Sequence, residues 1–202
     1  MEIKESFFYN WNLTCGKKAS IFKPKNYREL KSFFNKILKD DKFFIRTGEC
    51  SYGDKSLSSL TNNCLSLENF NKILSFDKKK KIINVQSGIN LYSLSKYLFE
   101  RGYFIYNIPG GKSVTLGGAI SGNVHGRIST KFFSTFGDNI LSITVLKKNL
   151  KLKKLTKKSI SFFDIIGGMG IFQTIISAEI KVCKLKNECF SQNENHISSY
   201  SE

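Results

Sequence analysis

The chain has 202 residues, of which 41% are hydrophobic and 13% aromatic, enough for one large domain or two small lobes around a real core. Its 32 Lys+Arg against 16 Asp+Glu give a formal charge of +16, but the lysines are scattered through turns and polar faces, so no specific nucleic-acid partner is expected. The cysteines (Cys15, Cys50, Cys64, Cys183 and Cys189) are odd in number and irregularly spaced, without a C-x-x-C pair, which argues against a zinc site or a disulfide framework.

Residues 1–18 are mixed and polar around Trp11, followed by a short apolar segment at 19–23 that ends at Pro24. Asn26 reads as a helix N-cap, with Glu29 three residues on, and Leu30, Phe33, Phe34 and Ile37 keep helical spacing, so 27–39 is predicted to be an amphipathic helix. A short buried strand is predicted at 42–46, running into Thr47-Gly48-Glu49-Cys50-Ser51-Tyr52-Gly53-Asp54. Small and hydroxyl residues in that turn leave backbone N–H groups free to form an anion-binding nest. Strands are predicted next at 64–67, 73–76 and 81–86, with a lysine-rich turn at 78–81. Asn90 caps a second helix with Leu91, Leu94, Leu98 and Phe99 as its buried stripe, ended by Arg101-Gly102. Beyond residue 139, strands are predicted at 140–146 and 150–155, a short helix at 159–166, a glycine cluster at 167–170 and a final strand at 171–182. The tail from 186 to 202 is polar and reads as disordered.

Between the second helix and those strands lies the stretch 108–139, which holds seven of the fifteen glycines, from Gly110 to Gly137, together with Pro109 and His125. Glycine at this density lets backbone approach a ligand closely, and neither an amphipathic helix nor an alternating strand is written this way. The expectation is a loop around an anionic, flat or extended cofactor. A Rossmann site requires G-x-G-x-x-G, which the chain does not contain. A P-loop requires a glycine five residues before Gly111, and that position is Tyr106. A dinucleotide held by several backbone turns, separated in sequence, remains.

The residues of these turns resemble a known family. Arg46-Thr47-Gly48-Glu49-Cys50-Ser51-Tyr52-Gly53-Asp54 is similar to the first flavin loop of FAD-linked oxidoreductases with the vanillyl-alcohol-oxidase or PCMH-type FAD-binding domain. The run from Pro109-Gly110 to Gly126 resembles their second loop. Ser134-Thr135-Phe136-Gly137-Asp138-Asn139 and residues 167–182 resemble the family's segments C-terminal to that loop. Within the family the likeness is to decaprenylphosphoryl-ribose 2′-oxidases and sugar-1,4-lactone oxidases. It covers residues 11–185.

The resemblance implies an α+β fold, a PCMH-type FAD-binding domain of two small α/β lobes with FAD between them. The expected organisation is an N-terminal segment at 1–18, the domain at 19–185 with lobes at 19–108 and 109–185, and the tail. Carried over, Arg46, Thr47, Gly48, Glu49, Cys50, Ser51, Tyr52 and Gly53 would cradle the pyrophosphate. Gly110, Thr115, Leu116, Gly117 and Gly118 would line flavin and diphosphate, with Asn123, His125, Gly126 and Arg127 from the second half of the loop. Thr174 and Ile175 would meet the nucleotide through main-chain groups. Tyr52, His125 and Arg127 are the candidates to face the flavin ring and substrate, and His125 is equally readable as a brace of its loop.

Cys50 stands where members with covalent flavin often have histidine, and non-covalent FAD is expected. Glu49 replaces a small or neutral residue, so its carboxylate is expected to point away from the pyrophosphate. The resemblance implies a reaction at the CH–OH group of a sugar, sugar lactone or polyprenyl-phosphate sugar, by hydride transfer to flavin N5. It also implies a C-terminal substrate domain that this chain does not contain, so a separate substrate-domain polypeptide is one expectation. A non-catalytic flavin- or nucleotide-binding module is the other. The N-terminus lacks the apolar region of a signal peptide and no run approaches the roughly 18 apolar residues of a membrane helix. A cytoplasmic protein is the expectation, with peripheral contact at the inner membrane face left open by the basic surface.

Overall fold

The computed structural model describes residues 3–37, 42–54, 56–126, 130–147 and 149–185. Two sheets organise them. The smaller holds β1 (Ile3–Tyr9), β2 (Gly16–Phe22), β3 (Phe44–Ile45) and β4 (Asn63–Leu65) in the order β1-β2-β4-β3. The larger holds β5 (Ile73–Asp77), β6 (Ile82–Gln86), β8 (Ile140–Leu146), β9 (Leu152–Thr156) and β10 (Thr174–Lys181) in the order β5-β6-β10-β8-β9. A small ribbon pairs β7 (Tyr103–Phe104) with β11 (Cys183–Lys184). Four helices accompany them: α1 (Tyr27–Ile37), α2 (Leu91–Phe99), α3 (Leu116–Ser121) and α4 (Ser161–Ile165). This is the α+β fold expected of a PCMH-type FAD-binding domain.

In the smaller sheet β2, β4 and β3 run parallel, and parallel neighbours need a crossover, which α1 supplies between β2 and β3. The helix is capped as predicted: the Glu29 N–H donates to Asn26 Oδ1 at 3.0 Å, and Glu29 Oε2 accepts the Lys25 N–H at 2.9 Å. Leu30, Phe33, Phe34 and Ile37 are its buried stripe, and Phe33 stacks on Phe22 of β2 at 4.8 Å between ring centroids. The predicted last turn of this helix, 38–39, lies outside the described residues.

The larger sheet is antiparallel throughout and its core gathers Ile83, Val85, Leu94, Leu98, Leu116, Ile120, Phe136, Ile143 and Ile180. Leu146 and Ile176 of this sheet pack instead with Phe22, Leu30, Phe33 and Leu65, so the two sheets share one apolar junction. A main-chain bond ties it: the Gly88 N–H, just past β6, donates at 2.8 Å to the carbonyl of Phe70, a member of that apolar cluster.

Three elements depart from the sequence reading. The pattern of 1–18 predicts no strand, yet Ile3–Tyr9 pairs antiparallel with β2 over its whole length. Phe7, Phe8 and Tyr9 put large apolar groups on both faces of β1, which hides the alternation that marks a half-buried strand. The glycine-rich stretch is not loop throughout. Leu116, Ala119 and Ile120 are buried on one side of α3, a six-residue helix too short for its period to stand out around Gly117-Gly118. The sheets also divide the chain between β4 and β5. Thus β5, β6 and α2, placed with the first lobe by the expected boundary at residue 108, belong to the second sheet and its core.

The described cysteines are all unbridged, and no group of His, Cys, Asp or Glu among the described residues is arranged to hold a metal. No helix among them is long and apolar enough to cross a membrane. The tail from 186 to 202, with Cys189 and His196, lies outside the described residues.

Candidate functional site

A cleft of about 1050 Å³ opens where the two sheets meet. From the smaller sheet it takes Phe7, Tyr9, Trp11 and Thr47-Gly48-Glu49, and from the larger side Gly88-Ile89-Asn90, Ser113 and Thr115. Two glycines allow the walls to meet. A methyl at Gly48 would collide with the Ser113 carbonyl, and one at Gly88 with the Leu67 carbonyl. The Asn90 cap predicted for α2 is present, with Oδ1 accepting the Ser93 N–H at 3.2 Å. The Asn90 amide Nδ2 donates to the Lys112 carbonyl across the cleft mouth.

The loop after β3 is built to present its main chain. Thr47 Oγ1 accepts the Leu67 N–H at 3.2 Å, and Glu49 is in the left-handed region at φ 56°. Among the described residues the N–H groups of Thr47, Gly48, Glu49 and Cys50 have no protein acceptor. Thr47, Gly48 and Glu49 line the cleft, and successive unpaired N–H groups on such a wall suit an anion. Cleft-lining Glu49 and Glu68 each have a cation nearby. Glu68 pairs with Lys23 at 2.9 Å, and Glu49 Oε1 lies 3.8 Å from Arg46 Nε.

The resemblance places Arg46 on the pyrophosphate, but the structure does not. Arg46 is 4% exposed and points into the smaller sheet. Nη1 donates to Ser56 Oγ at 2.7 Å, Nη2 donates to the Tyr9 carbonyl, and the guanidinium lies 5.2 Å from the Phe8 ring centre. The arginine braces the N-terminal hairpin against the loop. Cys50 is half-buried, its Sγ–H donating to the Gly48 carbonyl at 3.1 Å, and burial foremost pushes its thiol pKa up, with Glu49 adding to the shift and Arg46 opposing it. Ser51 accepts the Trp11 N–H through its carbonyl at 3.0 Å. Tyr52 is exposed, and Gly53 makes a turn at φ 61°.

The second loop is bound into the larger sheet's core. Thr115 caps α3, its Oγ1 accepting the Gly118 N–H at 3.4 Å. The Leu116 side chain is fully buried, and the Gly117 N–H donates to the Ser87 carbonyl at 2.7 Å. Asn123 Oδ1 accepts the Gly137 N–H at 3.1 Å, and the Gly126 N–H reaches Asn107 Oδ1 at 3.3 Å. Gly110 is open, His125 is exposed, and Arg127 lies outside the described residues. Thr174 and Ile175 are buried at the start of β10, paired with Leu146 and Val145.

Of the residues named from sequence, the structure therefore brings Thr47, Gly48, Glu49 and Thr115 together on the cleft. It adds Gly88-Ile89-Asn90 and the hairpin residues Phe7, Tyr9, Trp11 and Leu13. Gly88, at a strand end just before a helix cap, is a signal the sequence carries. The hairpin offers none, because its apolar residues do not alternate. The free N–H groups and the room between the sheets fit the diphosphate and extended shape of FAD.

Comparison with known proteins agrees with that fit. The chain matches the FAD binding domain family over residues 19–156. It is similar to decaprenylphosphoryl-beta-D-ribose oxidase of Mycolicibacterium smegmatis, 27% identical over 75% of this chain and 33% of that protein. It is also similar to D-lactate dehydrogenase of Anaerostipes hadrus, 30% identical over 58% of this chain and 26% of that protein. D-arabinono-1,4-lactone oxidase of Candida glabrata is 24% identical over 75% of this chain and 29% of its own length. The chain thus spans a third or less of the length of these relatives. With the sheets, the paired glycine loops and the nest in place, the match over most of both sheets shows that the chain belongs to the FAD-binding domain family of flavin oxidoreductases, with FAD as its cofactor.

Proposed function

We propose that this chain is the FAD-holding unit of an oxidoreductase that oxidises a CH–OH group of a sugar, sugar lactone or polyprenyl-phosphate sugar. The observation that carries the cofactor half is the row of unpaired N–H groups of Thr47, Gly48 and Glu49 on the cleft wall. The substrate class rests on similarity to a decaprenylphosphoryl-ribose oxidase and a D-arabinono-1,4-lactone oxidase. In this reading the N–H groups of residues 47–50 hold the diphosphate, and Gly48 and Thr115 keep the two loops in contact beside it. Gly110, Gly117, Gly118, Asn123 and Gly126 shape the second loop, and Tyr52, His125 and Arg127 serve the flavin and substrate side. When bound, FAD supplies the acceptor for the hydride leaving the substrate carbon. Burial foremost raises the Cys50 thiol pKa, which lowers its reactivity and favours a flavin held without a covalent bond.

The test is a flavin absorption spectrum of the purified chain, followed by anaerobic addition of sugars, lactones and D-lactate, with and without a second polypeptide covering the cleft. Bleaching by sugars or lactones supports the proposal. Bleaching by D-lactate alone would replace the substrate class, and a chain that takes up no flavin would overturn the reading.

A further inference from the structure

We propose that the N-terminal hairpin is part of the cofactor site, with Phe7, Tyr9 and Trp11 forming a stacking platform for one of the ring systems of bound FAD. This rests on the FAD reading above and goes beyond the family match, which begins at residue 19. Four large apolar side chains in seven residues stand half or more exposed: Phe7 56%, Tyr9 52%, Trp11 50% and Leu13 72%. All four line the cleft. The other face of the hairpin already serves a core, where Phe8 packs with Ala19, Ile21 and Cys64. Folding therefore does not require the outward row to be apolar, and a solvent-facing row of an antiparallel sheet is ordinarily polar. The Phe7 and Tyr9 rings lie 4.9 Å apart, tilted at 47°, as one continuous aromatic surface.

The platform is fixed in place. Arg46 donates to the Tyr9 carbonyl, and the Trp11 N–H donates to the Ser51 carbonyl at 3.0 Å. Asn10 is 1% exposed and holds the tip through Thr14 Oγ1 at 2.9 Å and the Cys15 N–H at 3.3 Å. Leu13 occupies the left-handed region at φ 57°, a costly conformation for a branched apolar residue, kept by its N–H bond to the Asn10 carbonyl at 3.1 Å. A rigid aromatic surface binds a flat ring with little ordering cost. Its tie to Ser51 joins it to the loop after β3, and the aromatic row lines the same cleft as Thr47, Gly48 and Glu49, so a ligand whose diphosphate rests on those N–H groups has a ring to lay on it.

Adenine and isoalloxazine share the chemistry, a flat heteroaromatic face, and two fragments separate them. ADP carries adenine with the diphosphate, and FMN carries isoalloxazine with a single phosphate. Trp11 is the sole tryptophan of the chain, so its emission reports the platform directly. The experiment titrates FAD, ADP and FMN into the flavin-free chain and into Trp11→Ala, Trp11→Phe and Tyr9→Ala, each checked by thermal melting.

The expected result is a loss of about tenfold or more in affinity for FAD and for one of the two fragments in both alanine variants, with Trp11→Phe restoring it. The weakened fragment identifies the ring. Unchanged affinities in a folded Trp11→Ala or Tyr9→Ala overturn the platform while leaving the FAD site standing. Losses that Trp11→Phe does not restore overturn it too, because they mark a role in holding the tip alone. A wild-type chain that binds none of the three removes the FAD reading and the platform with it.

Discussion

Gly48 sits where the two glycine-bearing loops touch. A Cβ there would meet the Ser113 carbonyl and lie 3.2 Å from the Thr115 N, and both are main-chain atoms that yield only if a loop moves. The backbone of 47–50 would shift with it, carrying the nest off its geometry. Gly48→Ala is expected to fold and to bind FAD at least about tenfold more weakly, read by flavin fluorescence titration. Affinity equal to wild type would place the diphosphate elsewhere. Cys50 makes the opposite case. Its Sγ–H donates to the Gly48 carbonyl and burial pushes its pKa up, both of which disfavour the thiolate that covalent attachment needs. All flavin colour is expected to leave the polypeptide on acid or heat denaturation, and Cys50→Ser is expected to keep its flavin. Colour that stays with the denatured chain would show a covalent bond.

At the scale of elements, what the sequence made legible depended on how much chain carried each signal. α1 and α2 have several turns, a capping asparagine and an apolar stripe at helical spacing, and both lie where that pattern puts them, but Phe99, read as part of the α2 stripe, is exposed at the last turn. β8 and β10 are mostly apolar or β-branched runs in the interior of the larger sheet, and β10 begins at Thr174, three residues later than its run. The loop after β3 was readable as a turn at the cleft because small residues at a strand end are a chemical signal as well as a structural one. α3 was not, since its period fits inside six residues and two of them are glycine. The destination of Arg46 was also illegible: which carbonyl a guanidinium reaches is decided by β1, 37 residues earlier in the chain.

α3 shows how cap and glycine act together. Gly118 does not need a glycine conformation; its N–H instead meets the Thr115 Oγ1 cap, and an added Cβ would lie 3.3 Å from that oxygen. Gly118→Val is expected to disturb the cap at a cost of about 1 kcal/mol of stability and to weaken FAD retention, measured by melting and by flavin content. Full occupancy in a folded variant would separate α3 from the cofactor. In the larger sheet, Glu179 of β10 accepts from Lys154 Nζ of β9 and Ser142 Oγ of β8, each at 2.7 Å. The lysine bond foremost holds its pKa below the ordinary 4.5. The carboxylate contribution is therefore complete above that ordinary value and is lost as pH falls through the depressed one. Acid unfolding of Glu179→Gln is expected to depend less steeply on pH below about 4.5 than that of the wild type, and identical acid profiles would show the triad contributes nothing.

At the scale of the whole molecule, the question is whether the two sheets melt as one. Leu146 and Ile176 leave the larger sheet's cluster to pack with Phe22, Leu30, Phe33 and Leu65, and the Gly88 N–H bonds the carbonyl of Phe70 in the same cluster. Neither sheet can lose its structure without exposing the other's apolar surface, so a single cooperative transition is expected without ligand. The cleft lies beside this junction and takes residues from both sides, so bound FAD adds contacts that only the joined state can make. A ligand that binds the folded state alone stabilises it by about 2.7 kcal/mol at a hundredfold excess over its Kd, roughly 5–10 °C in melting temperature for a domain of this size. Calorimetry of the chain with and without FAD is expected to show one peak in each case, displaced upward together. If FAD instead split the trace and moved only one component, it would be held by one sheet, and the cleft between them would not be its site.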